Sequence, residues 1–532
     1  MLAPFAAGEA LDLAGEWKCA LDAGDVGIAE GWGSGRLDFP KPVRLPGTTD
    51  LAKLGTHRGE AQPFAYHLTR EWEFTGAAWY SRKFEIPESW AGREAELVLE
   101  RVMWQSRVWL DGTETGPAMD SLCVPHVHGL GKLTPGTHDI VLRVDNRMIH
   151  PIGDKGHAYG DQTQSTWNGV VGAISLRLRP DNRIERVRVF PSLNGAVKLE
   201  VTGWTDGVGP IAVEAGLLDD DDVFPPDQVL LEEGKGDFRM EMELCHPGKP
   251  RVWSEFDPAL YRVNVSLLSA GRPADGQMVR FGFREVSRYG NKLLINRRPA
   301  FMRGNLECAV FPETGHPPTD VECWRKIWRV YQDHGLNHAR FHSWCPPEAA
   351  FVAADEMGIY LQVEAPIWMD RWMAAPNSRP EMDTAGHPQG LGKGDRSNDG
   401  FAQAEIRRIL DSYGNHPSFV FFCIGNELGT SDFNVTGEWI AAAKQHDPRH
   451  LFAASTARTI TPHCDFNATH SVPGIGAVRQ HLEFGTAWDY EGQNGRTKVP
   501  IIAHEIGQWP VYMDWDAELP RYTGPLKPYR LM

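Results

Sequence analysis

An unbroken apolar run in the last third of the chain leads directly to a glutamate. The run covers Phe419–Ile424, and Glu427 follows it after a glycine and an asparagine. A run that is apolar on both faces and follows a helical segment is typical of an inner strand of a parallel sheet. A second stretch, 499–503, has the same form and leads to Glu505. The pattern therefore predicts two glutamates, each just beyond the carboxyl end of a buried strand.

Strands alternate with helices from about residue 286 onwards. The first helix is predicted from a one-sided row of apolar residues, with Asp320 able to cap its start and Gly335 to end it. Further strands are predicted at His338–Phe341, Ile359–Glu364, Leu451–Ala454, Phe466–Ala468 and Pro500–Ala503. With the apolar run Phe419–Ile424 and a first strand at Phe301–Asn305 this makes seven strands in sequence, which favours a (β/α)₈ TIM barrel over an open sheet.

The chain before residue 286 has an all-β pattern. Many short strands with Gly and Pro turns and no helical period predict a jelly-roll-like β-sandwich for residues 1–180. A second β series begins near residue 180 and suits one immunoglobulin-like β-sandwich for residues 181–285. Representative strands are Ala95–Leu99, Arg107–Leu110, His138–Val144, Arg186–Phe190, Val197–Val201 and Tyr261–Val265.

The predicted barrel, residues 286–532, leaves little sequence for an eighth strand. Only 27 residues follow Glu505 (532 − 505). An eighth strand with its helix hardly fits into this length. We therefore expect a barrel that is truncated before strand 8, in a chain that is a fragment of a longer protein.

Charge and composition argue against several kinds of partner. The formal net charge is −16 and no tract of five or more basic residues occurs, so neither a nucleic acid nor an anionic membrane surface is an expected partner. No apolar run is long enough to span a bilayer. The first ten residues lack both regions of a signal peptide, and the location, cytoplasmic or periplasmic, is left open.

Cysteine and histidine patterns do not indicate a cofactor or a metal. None of the eight cysteines forms a C-x-x-C pair, which predicts packed free thiols rather than a disulfide framework. His126 and His128 share one strand face but lack a third ligand, so a metal is not expected there. The glycine-rich loops that bind dinucleotides or ATP are absent from the sequence, and no cofactor is predicted.

Two converging carboxyl groups are what retaining hydrolysis of a glycosidic bond requires. One protonates the leaving oxygen and the other attacks the anomeric carbon, at a separation of about 5–5.5 Å. Strand ends of a barrel open into one mouth, so Glu427 and Glu505 can meet there although they lie 78 positions apart (505 − 427). Their surroundings should separate their pKa values, leaving one protonated and one ionised near neutral pH.

Several motifs resemble those of glycoside hydrolase family 2, which contains β-galactosidases, β-glucuronidases and β-mannosidases. Ile424–Glu427 and Ile501–Gly507 resemble its acid/base and nucleophile signatures. His342 and Ser343 stand in the reverse of the order usual in the family. The motifs similar to its sugar-binding sandwich and its first two barrel strands are Trp79–Pro87, Val108–Gly112, Trp167–Gly172, Phe301–Asn305 and Asn337–Arg340.

The resemblance implies a role for each of four residues. Glu427 would be the general acid/base and Glu505 the nucleophile. Asn426 would hold the sugar 2-hydroxyl. Arg340 would lie beside the nucleophile and keep it ionised.

Other residues are candidate contacts of the sugar or of the reacting groups. Trp372 belongs to a Pro/Gly/Asp-rich loop that would overhang the mouth, although a surface insertion is an equal alternative. Trp509 follows the nucleophile motif. The histidines, His342, His470 and His504, are either substrate contacts or satisfied core residues. Glu307 and Glu364 are expected to hydrogen-bond to other site residues rather than to react.

The sequence thus predicts a retaining exo-β-glycosidase acting on terminal β-linked sugars. β-Galactosides are the first choice, with β-glucuronides or β-mannosides as alternatives. A non-catalytic carbohydrate-binding protein on the same scaffold is a rival, because the predicted barrel lacks an eighth strand. A metal-dependent barrel hydrolase is a further rival, against which the lack of a convergent His/Asp set counts. The family resemblance also suggests a homo-oligomer, a dimer or larger.

Overall fold

A computed structural model of the 532-residue chain provides the fold. The residues that the structure describes are 10–57, 68–160, 166–219, 222–224, 226–230, 234–370, 389–394, 396–456, 460–470, 498–505, 514–521, 523–524 and 526–528.

The chain begins with short antiparallel strands, as its alternating pattern predicts. In order they are β1 Ala10–Asp12, β2 Gly15–Asp22, β3 Lys41–Leu45, β4 Gly47–Thr48, β5 Thr56–His57, β6 Leu68–Arg70, β7 Trp72–Glu73, β8 Ala77–Ile86, β9 Glu94–Val102, β10 Gln105–Leu110, β11 Thr113–Glu114, β12 His126–Lys132, β13 Gly136–Asp145 and β14 Gly169–Leu178. One sheet has the order β1-β14-β9-β12, with β4 beside β14, and the other has the order β11-β10-β13-β8-β2-β3. Side chains of both sheets form one core, and we call this unit the first sandwich.

A second pair of sheets follows and encloses its own core. Its strands are β15 Arg183–Pro191, β16 Ala196–Thr205, β17 Ile211–Asp219, β18 Asp222–Val223, β19 Asp227–Leu230, β20 Gly236–Cys245, β21 Tyr261–Ser269 and β22 Arg272–Phe281. The sheets have the orders β15-β16-β20 and β18-β17-β21-β22, with β19 beside β17. We call this unit the second sandwich. A small sheet of β23 Val286–Tyr289, β24 Lys292–Ile295 and β25 Arg298–Pro299 comes next.

Parallel strands and helices make up the following region, which we call the parallel region. Its elements are β26 Gly304–Glu307, α1 Val321–Asp333, β27 His338–Phe341, α2 Glu348–Met357, β28 Tyr360–Glu364, α3 Asp399–Tyr413, β29 Phe419–Cys423, α4 Phe433–His446, β30 Leu451–Ala453, β31 Asn467–Thr469 and β32 Ile501–Ala503. Strands β26 to β30 pair in sequence order, and β31 pairs with β32. The seven predicted strands are therefore present. The first lies later than predicted, because pairing with β27 begins only at Gly304.

Local signals account for the helix ends and the strand burial. The Asp320 side chain accepts a hydrogen bond from the backbone N–H of Cys323 and caps α1, as predicted. All five residues of β29 are buried, as expected for an inner parallel strand. Near the end of the chain come a short helix α5 Trp515–Glu518 and a strand β33 Leu526–Pro528, which pairs with β6 of the first sandwich.

Several predictions about the architecture are not tested by these elements. The boundaries at residues 180 and 285 stay predictions, and so do closure into a (β/α)₈ barrel and truncation before its eighth strand. All eight cysteines are free, as predicted, and five of them are buried. No described helix has both the length and the apolar character needed to cross a lipid bilayer.

The first sandwich is docked on the parallel region through buried polar contacts. Glu405, in α3, accepts hydrogen bonds from the Ser121 hydroxyl and the Leu122 backbone N–H, both at 3.1 Å. The Arg101 guanidinium donates to the Leu122 and Cys345 carbonyls. Apolar side chains of the first sandwich, among them Trp104, share the core of the parallel region. Ile152 and Tyr159, between β13 and β14, belong to the same core, so that segment also lies beside the parallel strands.

Replacing Glu405 by alanine should destabilise the protein. The change leaves the buried Ser121 hydroxyl and Leu122 N–H without their acceptor and removes one of the two carboxylates that pair with Arg408. We expect the free energy of unfolding to fall by about 3 kcal/mol, measured by urea denaturation. Glu438→Ala on α4, whose side chain is 76% exposed, is the control and should change it by less than about 0.5 kcal/mol. Equal denaturation midpoints for the two variants would contradict the docking role.

Candidate active site

A buried arginine lies at the centre of a polar cluster at the carboxyl ends of the parallel strands. Arg340, in β27, has a side chain that is 3% exposed. Its guanidinium donates to both carboxylate oxygens of Glu364, at 2.7 and 3.4 Å, and to the Asn426 side-chain oxygen at 2.6 Å. It also donates to Glu505 Oε1 at 3.1 Å. The Arg340 cation therefore contacts Glu364 at the end of β28, Asn426 just after β29 and Glu505 just after β32.

Glu505 is held as a carboxylate by its neighbours. Its Oε1 lies 3.1 Å from Arg340 and 3.2 Å from His342 Nε2. Burial raises its pKa, but the hydrogen bond with His342 and the charges of His470 and Arg340 outweigh this, and the pKa lies well below its ordinary value. Glu505 is therefore ionised across the neutral range.

Glu427 has different surroundings from Glu505. The Trp368 indole N–H donates to its Oε2 at 3.2 Å, and its backbone N–H donates to the Thr456 hydroxyl at 3.2 Å. The two predicted glutamates therefore have different neighbours: Arg340 and His342 contact Glu505, whereas Trp368 contacts Glu427.

His470 joins the two glutamates directly. Its Nδ1 lies 3.4 Å from Glu427 Oε1 and 3.4 Å from Glu505 Oε2. Because both distances share one atom, these two oxygens are separated by no more than twice 3.4 Å, or 6.8 Å. The structure therefore brings the two predicted carboxylates to one place.

Strained backbone accompanies the carboxylates. Glu427 has φ +40°, Glu505 has φ +51° and Ser343 has φ +51°, all in the left-handed region. Non-glycine residues adopt this conformation rarely, and they do so most often where function fixes a side chain. Both glutamates therefore leave their strands by a turn that redirects the carboxylate.

Asn426 is buried, and among the described residues its side-chain oxygen is hydrogen-bonded whereas its Nδ2 is not. Its oxygen accepts from Arg340 and from the Thr456 hydroxyl. Its Nδ2 has no hydrogen-bond partner among the described residues. A buried N–H₂ group without an acceptor is costly in a folded protein. This donor is available to a ligand hydroxyl.

The remaining predicted residues differ in where they lie. His342 and His470 contact the glutamates, and Glu364 pairs with Arg340, as the sequence predicts for a supporting carboxylate. His504 lies beneath the cluster, where its Nε2 is 3.1 Å from the Gln362 side-chain oxygen. Glu307 hydrogen-bonds to the Ala309 backbone instead. Trp372 and Trp509 lie outside the described residues.

Two aromatic residues of the site were missed by the sequence reasoning. Trp368 lies four residues after β28, as Glu427 lies four residues after β29, and the two segments form a β-bridge at Asn426. The strand-end rule that found Glu427 therefore also indicates Trp368. His157 comes from the first sandwich, and its ring lies 4.4 Å from the His342 ring and 5.8 Å from the Trp368 ring. No local signal marks it.

Among the described residues, no group of three or more His, Cys, Asp or Glu side chains has the arrangement of a metal site.

Two domain models of one family match the chain. The model described as glycosyl hydrolases family 2, sugar binding domain, matches residues 11–147, and the model described as glycosyl hydrolases family 2 matches residues 183–284. The first range lies within the first sandwich, and the second range covers all strands of the second sandwich.

Curated relatives are similar at low identity. A β-galactosidase from Aeromonas hydrophila is 24% identical over 442 residues, which cover 78% of this chain and 41% of the relative. A β-galactosidase from Lactococcus lactis is 22% identical over 439 residues, covering 80% of this chain and 40% of the relative. The chain thus spans about two fifths of the length of these relatives.

Solved structures share the fold over most of the chain. A family 2 β-galacturonidase from Eisenbergiella tayi has a TM-score of 0.68 at 18% identity and covers 96% of this chain and 83% of that one. A β-glucuronidase from Ruminococcus gnavus has a TM-score of 0.66 at 18% identity and covers 88% of this chain and 77% of that one. The two sandwiches thus match domain models of glycoside hydrolase family 2 in order, and the fold shared with these structures extends into the parallel region.

Proposed function

We propose that this chain carries the active site of a retaining exo-β-glycosidase, with Glu505 as nucleophile and Glu427 as general acid/base. The observation that supports this most is the pair of 3.4 Å contacts from His470 Nδ1 to the two carboxylates. The limit of 6.8 Å that they set includes the separation of about 5–5.5 Å used by retaining enzymes. It leaves little of the range of about 6.5–9.5 Å that inverting enzymes need for a water molecule.

The unequal surroundings of the glutamates support the assignment of roles. Glu505, facing Arg340 and His342, remains an anion and attacks the anomeric carbon. Glu427 gives its proton to the leaving oxygen as the glycosidic bond breaks, and a glycosyl ester of Glu505 forms. Glu427 then takes a proton from water, which attacks the anomeric carbon and releases the sugar and the Glu505 carboxylate. Both protonation states are thereby restored.

The proposed substrate is a terminal β-galactoside. Curated relatives at 22–25% identity carry the name β-galactosidase. Structural neighbours named as a β-glucuronidase and a β-galacturonidase make uronides the alternative. A panel of aryl β-glycosides, including galactoside, glucoside, mannoside, glucuronide and galacturonide, distinguishes these possibilities. Binding of a sugar by calorimetry without any hydrolysis of the panel would favour a non-catalytic carbohydrate-binding protein instead.

Substitution of each glutamate by glutamine should give different kinetic patterns. Glu427→Gln removes the acid, so kcat/KM should fall by about 10³ for a glycoside with a poor leaving group. It should fall by less than about 10-fold for a 2,4-dinitrophenyl glycoside, which needs no proton to depart. Glu505→Gln removes the nucleophile and should abolish turnover of both substrates.

A glutamate on the exposed face of α4 provides the control for these variants. Glu438→Gln should leave both rate constants unchanged, because its side chain is 76% exposed and lies outside the site. Full activity in both active-site variants would show the assignment to be wrong. The opposite pattern, with leaving-group dependence in Glu505→Gln, would exchange the two roles.

Neutralising Arg340 should move the acidic limb of the pH profile. In the wild type, kcat/KM falls only when the pH drops through the lowered pKa of Glu505, because the nucleophile must be ionised. Arg340→Gln removes a charge 3.1 Å from that carboxylate, so the pKa rises and the limb should move up by about 1 pH unit or more.

A surface arginine controls for the general effect of losing a charge. Arg303 pairs with Glu255, and Arg303→Gln should leave the limb in place. Circular dichroism verifies that both variants are folded, since Arg340→Gln also leaves the buried Glu364 without its partner. An unmoved acidic limb in a folded Arg340→Gln variant would contradict the proposed role.

Removing the free amide of Asn426 should matter only for sugars that carry a 2-hydroxyl. Hydrogen bonds to this hydroxyl strengthen in the transition state and contribute several kcal/mol. Asn426→Ala should therefore reduce kcat/KM by about 10²-fold for an aryl β-glycoside. The matched 2-deoxy glycoside should react at nearly the same rate with wild type and variant. An equal loss for both substrates would assign Asn426 a structural role only.

A further inference from the structure

A chain of hydrogen-bonding groups runs from the first sandwich to Glu505. The His157 backbone N–H donates to the Ser343 hydroxyl oxygen at 3.0 Å. That oxygen lies 3.1 Å from His342 Nδ1, and His342 Nε2 lies 3.2 Å from Glu505 Oε1. His157, Ser343 and His342 are all buried. This hydrogen-bonded series therefore contains two protons, one on the Ser343 hydroxyl and one on the His342 ring, whose positions the neighbouring groups can fix.

The first of these protons is set by the backbone of His157. An amide N–H can only donate, so the Ser343 oxygen is the acceptor in that contact. Its own hydrogen then needs an acceptor, and within the described part of the chain His342 Nδ1 is the one at hydrogen-bond distance. If Nδ1 carried a proton instead, the buried hydroxyl hydrogen would have no partner. A buried donor without a partner is unfavourable, so Nδ1 is the acceptor.

The second proton is set by Glu505. Its carboxylate faces His342 Nε2, and an unprotonated nitrogen there would present its lone pair to an anion. Nε2 is therefore protonated. Burial and the Arg340 charge lower the pKa of His342 although Glu505 opposes them, so the ring carries a single proton. Both ends of the hydrogen-bonded series thus require the His342 tautomer that carries its proton on Nε2.

We propose that Ser343 is a positioning residue of the active site, which places the proton of His342 on Nε2 and so orients its hydrogen bond to the nucleophile. The proposal rests on the proposed role of Glu505. Ser343 is itself fixed, because its backbone N–H donates to Glu364 Oε2 at 2.8 Å. The reversed order of His342 and Ser343 is then functional, since it sets the hydroxyl beside Nδ1.

Few charged and titratable groups surround this hydrogen-bonded series, and they belong to different elements. Those facing His342 are Arg340, Glu364, Glu505 and His157. Glu505 faces Arg340 and His342 as well as His470, which also contacts Glu427. Ser343 is the uncharged member. A change at Ser343 therefore alters the proton position without altering the charge of the site.

Removing the hydroxyl should shift the pH profile without unfolding the site. Ser343→Gly fits the φ of +51° and Ser343→Ala keeps the β-carbon, so together they separate backbone strain from the loss of the hydroxyl. Both variants should lose roughly 10-fold or more in kcat/KM, because the His342 proton is no longer fixed. The acidic limb should move to higher pH, because a weaker hydrogen bond allows the pKa of Glu505 to rise.

Two histidines of the same first-sandwich segment serve as controls. His157→Ala keeps the donating backbone N–H, so its acidic limb should stay where it is in the wild type, whatever happens to kcat. His150 stacks on Phe401 and contacts Asp120, outside the hydrogen-bonded series. His150→Phe should therefore leave both kcat/KM and its pH profile unchanged. An acidic limb that does not move in the Ser343 variants, or moves equally in His157→Ala, would overturn the proposal.

Neutron diffraction from crystals exchanged into D₂O tests the proton positions without any substrate. The expected map shows a deuteron on His342 Nε2 and the Ser343 deuteron directed to Nδ1. A deuteron on Nδ1 would refute the proposal even if the protein is a glycosidase. If the expected deuterons are seen but no glycoside is hydrolysed, the proton arrangement holds and the proposed function fails.

Discussion

The guanidinium of Arg340 is the interaction on which the rest of the site depends. A buried cation must be compensated, and Glu364 does this with both of its oxygens. The remaining N–H groups then reach Asn426 and Glu505, which come from other strands. One rigid, forked donor therefore helps to position both the proposed nucleophile and the amide proposed to bind the 2-hydroxyl. Without it, Glu505 would lose one of the contacts that fix its position and lower its pKa.

The site also depends on contact between two domains. The parallel strands supply both glutamates and Arg340, whereas the first sandwich supplies His157 and its backbone N–H. Buried polar contacts, such as those of Glu405, hold the sandwich in place. The first sandwich therefore contributes groups to the candidate site as well as lying beside it. Substitutions at the domain interface should therefore alter the surroundings of Glu505, because hydrogen bonds connect it to the first sandwich.

Sequence patterns could predict the parts of the site that depend on local order. The apolar run before Glu427 indicates a buried strand, and a carboxylate after such a strand lies at the common edge where strands end. His157 could not be found this way, because 186 positions separate it from Ser343 and only domain docking brings them together. The start of β26 was placed too early, because an apolar Phe301 precedes it although pairing begins at Gly304.

Covalent trapping of the nucleophile tests the central claim most directly. A 2-deoxy-2-fluoro-β-galactosyl fluoride slows both steps but hydrolysis of the ester more, so a retaining enzyme accumulates the glycosyl intermediate. Mass spectrometry of the protein and its peptides should show one sugar attached at Glu505, and none in Glu505→Gln. The corresponding fluoro-glucuronide and fluoro-galacturonide extend the test to uronides. A label on another residue, or hydrolysis with inversion at the anomeric carbon, would contradict the account.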